Sequence, residues 1–463
     1  MLARTAEKQL HSWLHKKSRK PLVLRGARQV GKSTLVRSFA AKNNLTLNEV
    51  NLERNLFLDP VFQKLDTNVI IRELEALVGR SILTPDAILF LDEIQATPNA
   101  LQALRYLFED FPNLPVIAAG SLLEFTLADH HFSMPVGRIE YFHLYPMSFR
   151  EYLNALDPDL LPHLDRIDYS LSLPTAAHMR LSMKLREYFF TGGLPEAVNV
   201  YVESKSLAEV SAIHRNIINT FQDDFAKYSK HNNLLLLQKT FNHIPRSLGK
   251  KIKYSNISRE NRTVQVKNAI SLLTKARICH QIFHSHCSGL PLHADIVDNI
   301  YKLIFLDIGL VNTICGIDWL TISSFLDHQL VNEGALAEQF IGQHLINLSD
   351  GLDTPHLHYW HREGKSTNAV VDYVVTSGNQ IVPVEVKAGK SGSLKSLQQF
   401  VNHKKTKLAV RFDLNLPSLQ TVQHTTRTAD GDKKVTLELL SLPLYAVEEL
   451  PRILKMLGAK TDK

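Results

Sequence analysis

Residues 26–34 read Gly-Ala-Arg-Gln-Val-Gly-Lys-Ser-Thr and follow the apolar run Pro21-Leu-Val-Leu24. A G-x-x-x-x-G-K-S pattern between a predicted strand and a predicted helix commits this part of the chain to an α/β sheet with a phosphate-binding loop. Gly26 and Gly31 let the backbone curl so that successive N–H groups face phosphate oxygens. On this reading Gly26, Ala27, Arg28, Gln29, Val30, Gly31, Lys32, Ser33 and Thr34 form a nucleotide cradle. Lys32 reaches the β- and γ-phosphates, Ser33 ligates Mg²⁺, and the helix starting near Lys32 adds its positive dipole end. The competing reading is an ordinary glycine turn.

A second run supports the first. Ala87-Ile-Leu-Phe-Leu-Asp-Glu93 has the continuous apolar character of a buried parallel strand and ends in two carboxylates. Ligands bind at that edge of open α/β sheets. Asp92 would hold Mg²⁺ and Glu93 would polarise the attacking water. Alone, the pair would read equally well as a cap on the next helix. A third strand, Pro115 to Ala119, ends at Gly120-Ser121. Ser121 either senses the γ-phosphate or caps a helix beginning at Leu122. Arg138, after Gly137, either supplies positive charge to a transition state, from this subunit or a neighbour, or forms a structural ion pair.

These residues resemble a family of predicted AAA+-superfamily ATPases of bacteria and archaea, the AAA_14/DUF4143 type. The resemblance rests on Arg25 to Thr34, Phe90-Leu-Asp-Glu-Ile-Gln95, Ala119-Gly-Ser121, and Gly137-Arg138 followed by Leu144-Tyr-Pro-Met-Ser-Phe-Arg-Glu-Tyr152. It continues through Thr191 to Glu196, Gln222 to Tyr228, Tyr301 to Leu310 and Val384 to Lys387, and so covers nearly the whole chain. It implies ATP as ligand and substrate of hydrolysis, and an AAA core followed by a DUF4143 region over about 190–400.

Length sets the prior for the rest: 463 residues suit two to three domains. With 44% hydrophobic and 21% charged residues, the composition is that of a globular protein. A net charge of +7 and a pI near 9.1 permit a nucleic-acid partner without requiring one. Three cysteines make no disulfide framework, and no signal peptide or membrane-length apolar run is seen, which points to the cytoplasm.

Between 206 and 330 the pattern is helical. The apolar spacings Leu234 to Ile244 and Val264 to Ala276 precede two strand-like pieces, Ile278 to Phe283 and Lys302 to Leu306. Helix, turn, helix and two-strand wing is the order of a winged helix. Lys250, Lys251, Lys253, Arg259, Arg262 and Lys267 are its candidate DNA contacts; the alternative is a helical packing module with solvated lysines. Cys279, His280, His284, His286, Cys287 and His293 crowd together, but their spacing fits no regular zinc finger.

Further on, Ala369-Val-Val-Asp-Tyr-Val-Val375 and Val384-Glu-Val-Lys387 resemble the PD-(D/E)XK nuclease core. Asp372 and Glu385 on adjacent strands could share a divalent metal, with Glu338 from the preceding helix completing it. Lys387, two residues from Glu385, shares its face and could activate water. One departure counts against cleavage. The family's usual Ala-Glu-Val-Asp is here Ala369-Val370-Val371-Asp372, so one carboxylate is missing.

The expected architecture is therefore α/β throughout. An AAA-type P-loop sheet with helical lid spans 1–205, a winged-helix-like module 206–330, and a PD-(D/E)XK-like module 331–463. Two readings of the whole stay open. One is an ATPase coupled to a DNA-interacting nuclease-like domain. The other is an ATP-dependent switch whose last domain is non-catalytic and binds a protein partner. Oligomerisation is possible under either, and neither involves a membrane.

Overall fold

The computed structural model describes residues 2–121, 137–169, 173–228, 231–317, 333–349, 351–352, 355–363, 368–389, 393–428 and 431–461. Its first sheet is parallel, with strand order β2-β3-β4-β1-β5. The strands are β1 (Leu22–Arg25), β2 (Thr46–Asn51), β3 (Ala87–Asp92), β4 (Val116–Ala119) and β5 (Glu140–His143). All six residues of β3 and all four of β4 are buried. Such strands need cover on both faces, and the alternation supplies it. Val23, Leu89, Leu91, Val116 and Ala118 point into one core, shared with the helices Thr67–Val78 and Pro98–Asp110. Leu22, Leu24, Ile88, Phe90, Ile117 and Ala119 point into the other, shared with the helix Lys32–Lys42 and continuous with the rest of the protein.

After the helices Thr175–Thr191, Pro195–Ser204 and Leu207–Tyr228 come His231–His243, Tyr254–Ile257 and Thr263–Lys275. A hairpin of β6 (Cys279–Ser285) and β7 (Ile296–Phe305) follows. Helix, turn, helix and two-strand wing therefore appear in the expected order. Val266, Ile270 and Leu273 bury one stripe of the last helix. Val264 does not share it and is 66% exposed, because it lies on the first turn, off the apolar stripe. Phe241 packs edge-on against Phe225 at 5.4 Å and Phe305 at 5.2 Å, fixing two helices to the hairpin.

That hairpin belongs to a second, eight-stranded mixed sheet, ordered β12-β13-β11-β10-β9-β8-β6-β7. The other strands are β8 (Leu357–Arg362), β9 (Ala369–Ser377), β10 (Gln380–Val386), β11 (Leu408–Asp413), β12 (Ser418–Thr428) and β13 (Gly431–Pro443). β6 pairs in parallel with β8, so the hairpin is hydrogen-bonded directly into the second sheet and does not stand apart as a separate wing. β9 and β10 form an antiparallel pair, and β10 and β11 run parallel. The helix Glu333–Asn347 carries Leu336, Ala337, Phe340 and Ile341 into the larger core. Among the described residues no helix is long and apolar enough to cross a membrane.

Candidate functional site

The phosphate loop lies where β1 gives way to the helix Lys32–Lys42. Gly26 and Gly31 have φ of 154° and 89°, and Gln29 also turns left-handed at 68°. A Cβ at Gly26 would run into the carbonyl oxygen of Leu144, so the loop has room only for glycine there. The Lys32 ammonium donates to the carbonyls of Gly26 at 3.1 Å and Ala27 at 2.9 Å. Burial pulls its pKa down to about 8, against the opposing pull of Glu93 and Asp92.

β3 lies beside β4, and β4 beside β1, which brings three strand ends to one edge. The Ser33 hydroxyl donates to Asp92 Oδ2 at 2.8 Å. Burial raises the Asp92 pKa, and the Ser33 hydrogen bond partly offsets it. Two hard oxygens this close, beside a phosphate loop, fit Mg²⁺. Glu93 has φ of 54°, and its carboxylate accepts from Gln95 Nε2 at 2.5 Å. The Ser121 hydroxyl accepts from Arg28 Nε at 3.3 Å. The helix proposed to begin at Leu122 lies outside the described residues.

Arg138 is not with them. It precedes β5, a parallel strand, so it lies at the opposite edge of the sheet from the P-loop. There it pairs with Glu109 at 2.9 Å. In its own subunit it is a structural ion pair.

Several contributors had no place at this site in the sequence pattern alone. Beside the P-loop is a cavity of about 280 Å³ lined by residues that include Leu2, Arg4, Gln29, Thr34, Pro195 and Asn199. Arg4 anchors its rim, donating to the carbonyls of Val30 at 2.9 Å and Tyr145 at 2.7 Å and pairing with Glu151 at 3.1 Å. Pro195 closes over Gly31. Its loop is pinned by buried Asp307, which accepts the Gly193 N–H at 2.7 Å and the Gly309 N–H at 2.9 Å. The motifs Thr191 to Glu196 and Tyr301 to Leu310 thus meet, a pairing visible only once the chain is folded.

In the second sheet Glu338, Asp372, Glu385 and Lys387 do come together, but around a lysine. The buried Lys302 ammonium, from β7, lies 2.7 Å from Glu338 Oε1 and 3.9 Å from Asp372 Oδ1. Asp372 Oδ2 accepts the Val386 N–H at 2.8 Å, and Glu385 Oε1 is ion-paired with Lys387. Burial pushes Glu338 and Glu385 each up to about 7. A divalent ion does not fit this arrangement. A protein cation already bridges two of the three carboxylates, and among the described residues no three His, Cys, Asp or Glu side chains form a metal-holding group. Val370 is exposed on the strand that carries Asp372.

The histidine-rich run behaves similarly. On a regular strand His280 and His284 would share one face, but a bulge between Phe283 and His284 breaks the alternation of β6. His284 instead stacks on His361 at 4.1 Å. Of the six basic candidates for DNA, Lys251 pairs with Glu363 at 2.9 Å and Lys267 donates to Asn299 at 2.7 Å. Lys250, Lys253, Arg259 and Arg262 are exposed.

Three stretches of the chain match known family models. Residues 18–153 match the AAA_14 model, an AAA domain. Residues 182–321 and 333–439 match two domains of unknown function, DUF8612 and DUF4143. No curated protein matches. Among solved structures, the ORC1 protein of Aeropyrum pernix, solved with DNA, is similar at 13% identity and a TM-score of 0.30, over 70% of this chain and 95% of that one. The ORC2 protein of the same organism gives 14%, 0.31, 70% and 96%. The STAND protein PH0952 of Pyrococcus horikoshii, which has a tetratricopeptide repeat sensor, gives 12% and 0.25, over 75% of this chain and 46% of that one. Parallel sheet, phosphate loop and paired carboxylates define a P-loop protein of the AAA type. Its family matches are of the same kind, an AAA_14 domain followed by a DUF4143 region.

Proposed function

We propose that this protein is a Mg²⁺-dependent ATP hydrolase working in the cytoplasm as a conformational switch, and that its nuclease-like module does not cut nucleic acid. The observation that carries the first part is the convergence of Lys32, Ser33, Asp92, Glu93 and Ser121 on one sheet edge. The loop N–H groups and Lys32 hold the phosphates, and the cavity beside Pro195 takes the base. Bound Mg²⁺, held by Ser33 and Asp92, supplies charge neutralisation on the phosphates. Glu93, held by Gln95, orients and deprotonates the attacking water. Phosphate release should be abolished in Lys32→Ala and in Glu93→Gln, with ATP binding kept only in the latter. Undiminished turnover in Glu93→Gln would sink this reading.

The second part rests on Lys302. A buried ammonium among Glu338, Asp372 and Glu385 supports a retained fold without cleavage. Plasmid nicking by Mg²⁺ or Mn²⁺ that disappears in Asp372→Ala would reverse it. The exposed Lys250, Lys253, Arg259 and Arg262 of the winged helix favour DNA as the target contacted. Binding to duplex DNA should then weaken steeply between low and moderate salt. Salt-insensitive capture of a protein partner would favour the other target.

A further inference from the structure

Arg28 reaches from the P-loop into the module that follows. Its Nε donates to Ser121 Oγ at 3.3 Å, and its Nη1 forms an ion pair with the carboxylate of Asp224. Asp224 is buried on the helix Leu207–Tyr228, 196 positions further along the chain. Arg28 is also close enough to Lys32 to disfavour a second positive charge there. So the guanidinium lies between two groups of the hydrolytic edge, Lys32 and Ser121, and one carboxylate outside it.

The γ-phosphate belongs between Lys32 and the end of β4. A guanidinium there has two anions to choose from, and its planar fork suits either. We propose that Arg28 reads the γ-phosphate, and that Asp224 is the anion it leaves to do so. ATP draws Arg28 off Asp224; ADP, one phosphate shorter, leaves the ion pair in place. The inference rests on the ATP-binding reading and adds to it the residue that distinguishes the two nucleotides.

The consequence for the rest of the protein follows from burial. Taking an ion partner from a buried carboxylate is costly in a low-dielectric site, so its helix must shift or admit water. Phe225, next to Asp224, packs on Phe241, and Phe241 packs on Phe305 of β7. β7 also carries Lys302. A move at Asp224 therefore has a packed route into the second sheet, whereas an unchanged Arg28–Asp224 pair would be a plain structural anchor.

The two possibilities separate by measuring ATPγS and ADP affinity, each with Mg²⁺, in the full chain. Asp224→Asn should tighten ATPγS about tenfold and leave ADP unchanged, since only the competitor for the γ-phosphate is weakened. Arg28→Gln should abolish the preference for ATPγS while ADP still binds. Equal changes for both nucleotides in either variant, or none, would overturn the proposal and leave the anchor. Hydrogen exchange on the wild type gives a test that needs no variant. Amides of 207–228 should exchange faster with ATPγS than with ADP, and identical exchange overturns the proposal. If neither nucleotide binds the wild type, the ATPase reading itself has failed and this inference with it.

Discussion

The Lys302 ammonium and the Glu338 carboxylate, 36 residues apart in sequence, are 2.7 Å apart, buried between β7 and the helix Glu333–Asn347. Three carboxylates gather there, but the cation among them is part of the chain. Replacing one partner of a buried pair leaves the other uncompensated, which costs roughly 3–5 kcal/mol. Lys302→Met should therefore lower stability by about that amount at pH 8 in urea denaturation. Lys302→Met combined with Glu338→Gln should recover much of the loss. The same single variant frees the three carboxylates, so Mn²⁺ should raise its Tm while leaving that of the wild type unchanged when no nucleotide is present.

Asp307 pins the loop that walls the cavity beside the P-loop. It accepts N–H groups from Gly193, Gly309 and Leu310 at 2.7, 2.9 and 3.3 Å. Asp307→Ala leaves buried donors unpaired and should cost roughly 2–4 kcal/mol. Because Pro195 follows the pinned loop, the variant should also raise the Kd for ADP. Isothermal titration would read this, and an unchanged Kd would mean that the loop is held by its other contacts. Burial raises the Asp307 pKa to about 6. Its charged form is thus less favoured in the fold than in the unfolded chain, and its contribution to stability falls as pH rises from about 4 to about 6.

Gly120 keeps the Glu93 arm in place by a different device. A Cβ there would collide with Gln95 Oε1, the amide group whose nitrogen holds Glu93. Gly120→Ala should displace Gln95 and lower kcat by about tenfold or more, with little change in ATPγS affinity. Steady-state phosphate release beside equilibrium binding would separate the two effects.

What was legible in the sequence was what a few consecutive residues can specify. The phosphate loop, the run Ala87 to Glu93 and the strands of Asp372 and Glu385 each declare themselves by local pattern, while Glu93 and Lys387 fall just past the ends of β3 and β10. What stayed hidden was partnership at a distance. Lys302 reads as one charge in an apolar strand, and only the pairing of β6 with β8 brings β7 over Glu338. Arg28 fills a variable position of the loop motif until the helix Leu207–Tyr228 brings Asp224 to it. Arg138 fell to the wrong edge because a Gly-Arg pair does not say on which side of its strand it sits. Val264 matched a helical spacing that did not extend to the first turn.

His344 gives the clearest prediction about pH. Its Nε2 accepts the Phe149 N–H at 2.8 Å and its Nδ1 hydrogen donates to the Phe340 carbonyl at 2.8 Å. Both ring nitrogens are committed, and the arrangement requires neutral imidazole, because a second proton would face an N–H donor. Burial accordingly pulls its pKa down to about 4 from an ordinary value near 6.5. The unfolded chain takes up that proton first on acidification, so the stability His344 contributes is complete above pH 6.5 and is lost as pH falls toward 4. The loss is on the order of 3 kcal/mol. Glu338, Glu385 and Glu448, each raised to about 7 by burial, act in the opposite sense over an overlapping range. His344→Gln should thus cost stability at pH 7.5 yet flatten the acid side of the stability profile. An acid limb as steep as in the wild type would place the proton uptake at His143, His214 or His280 instead, which burial also holds neutral.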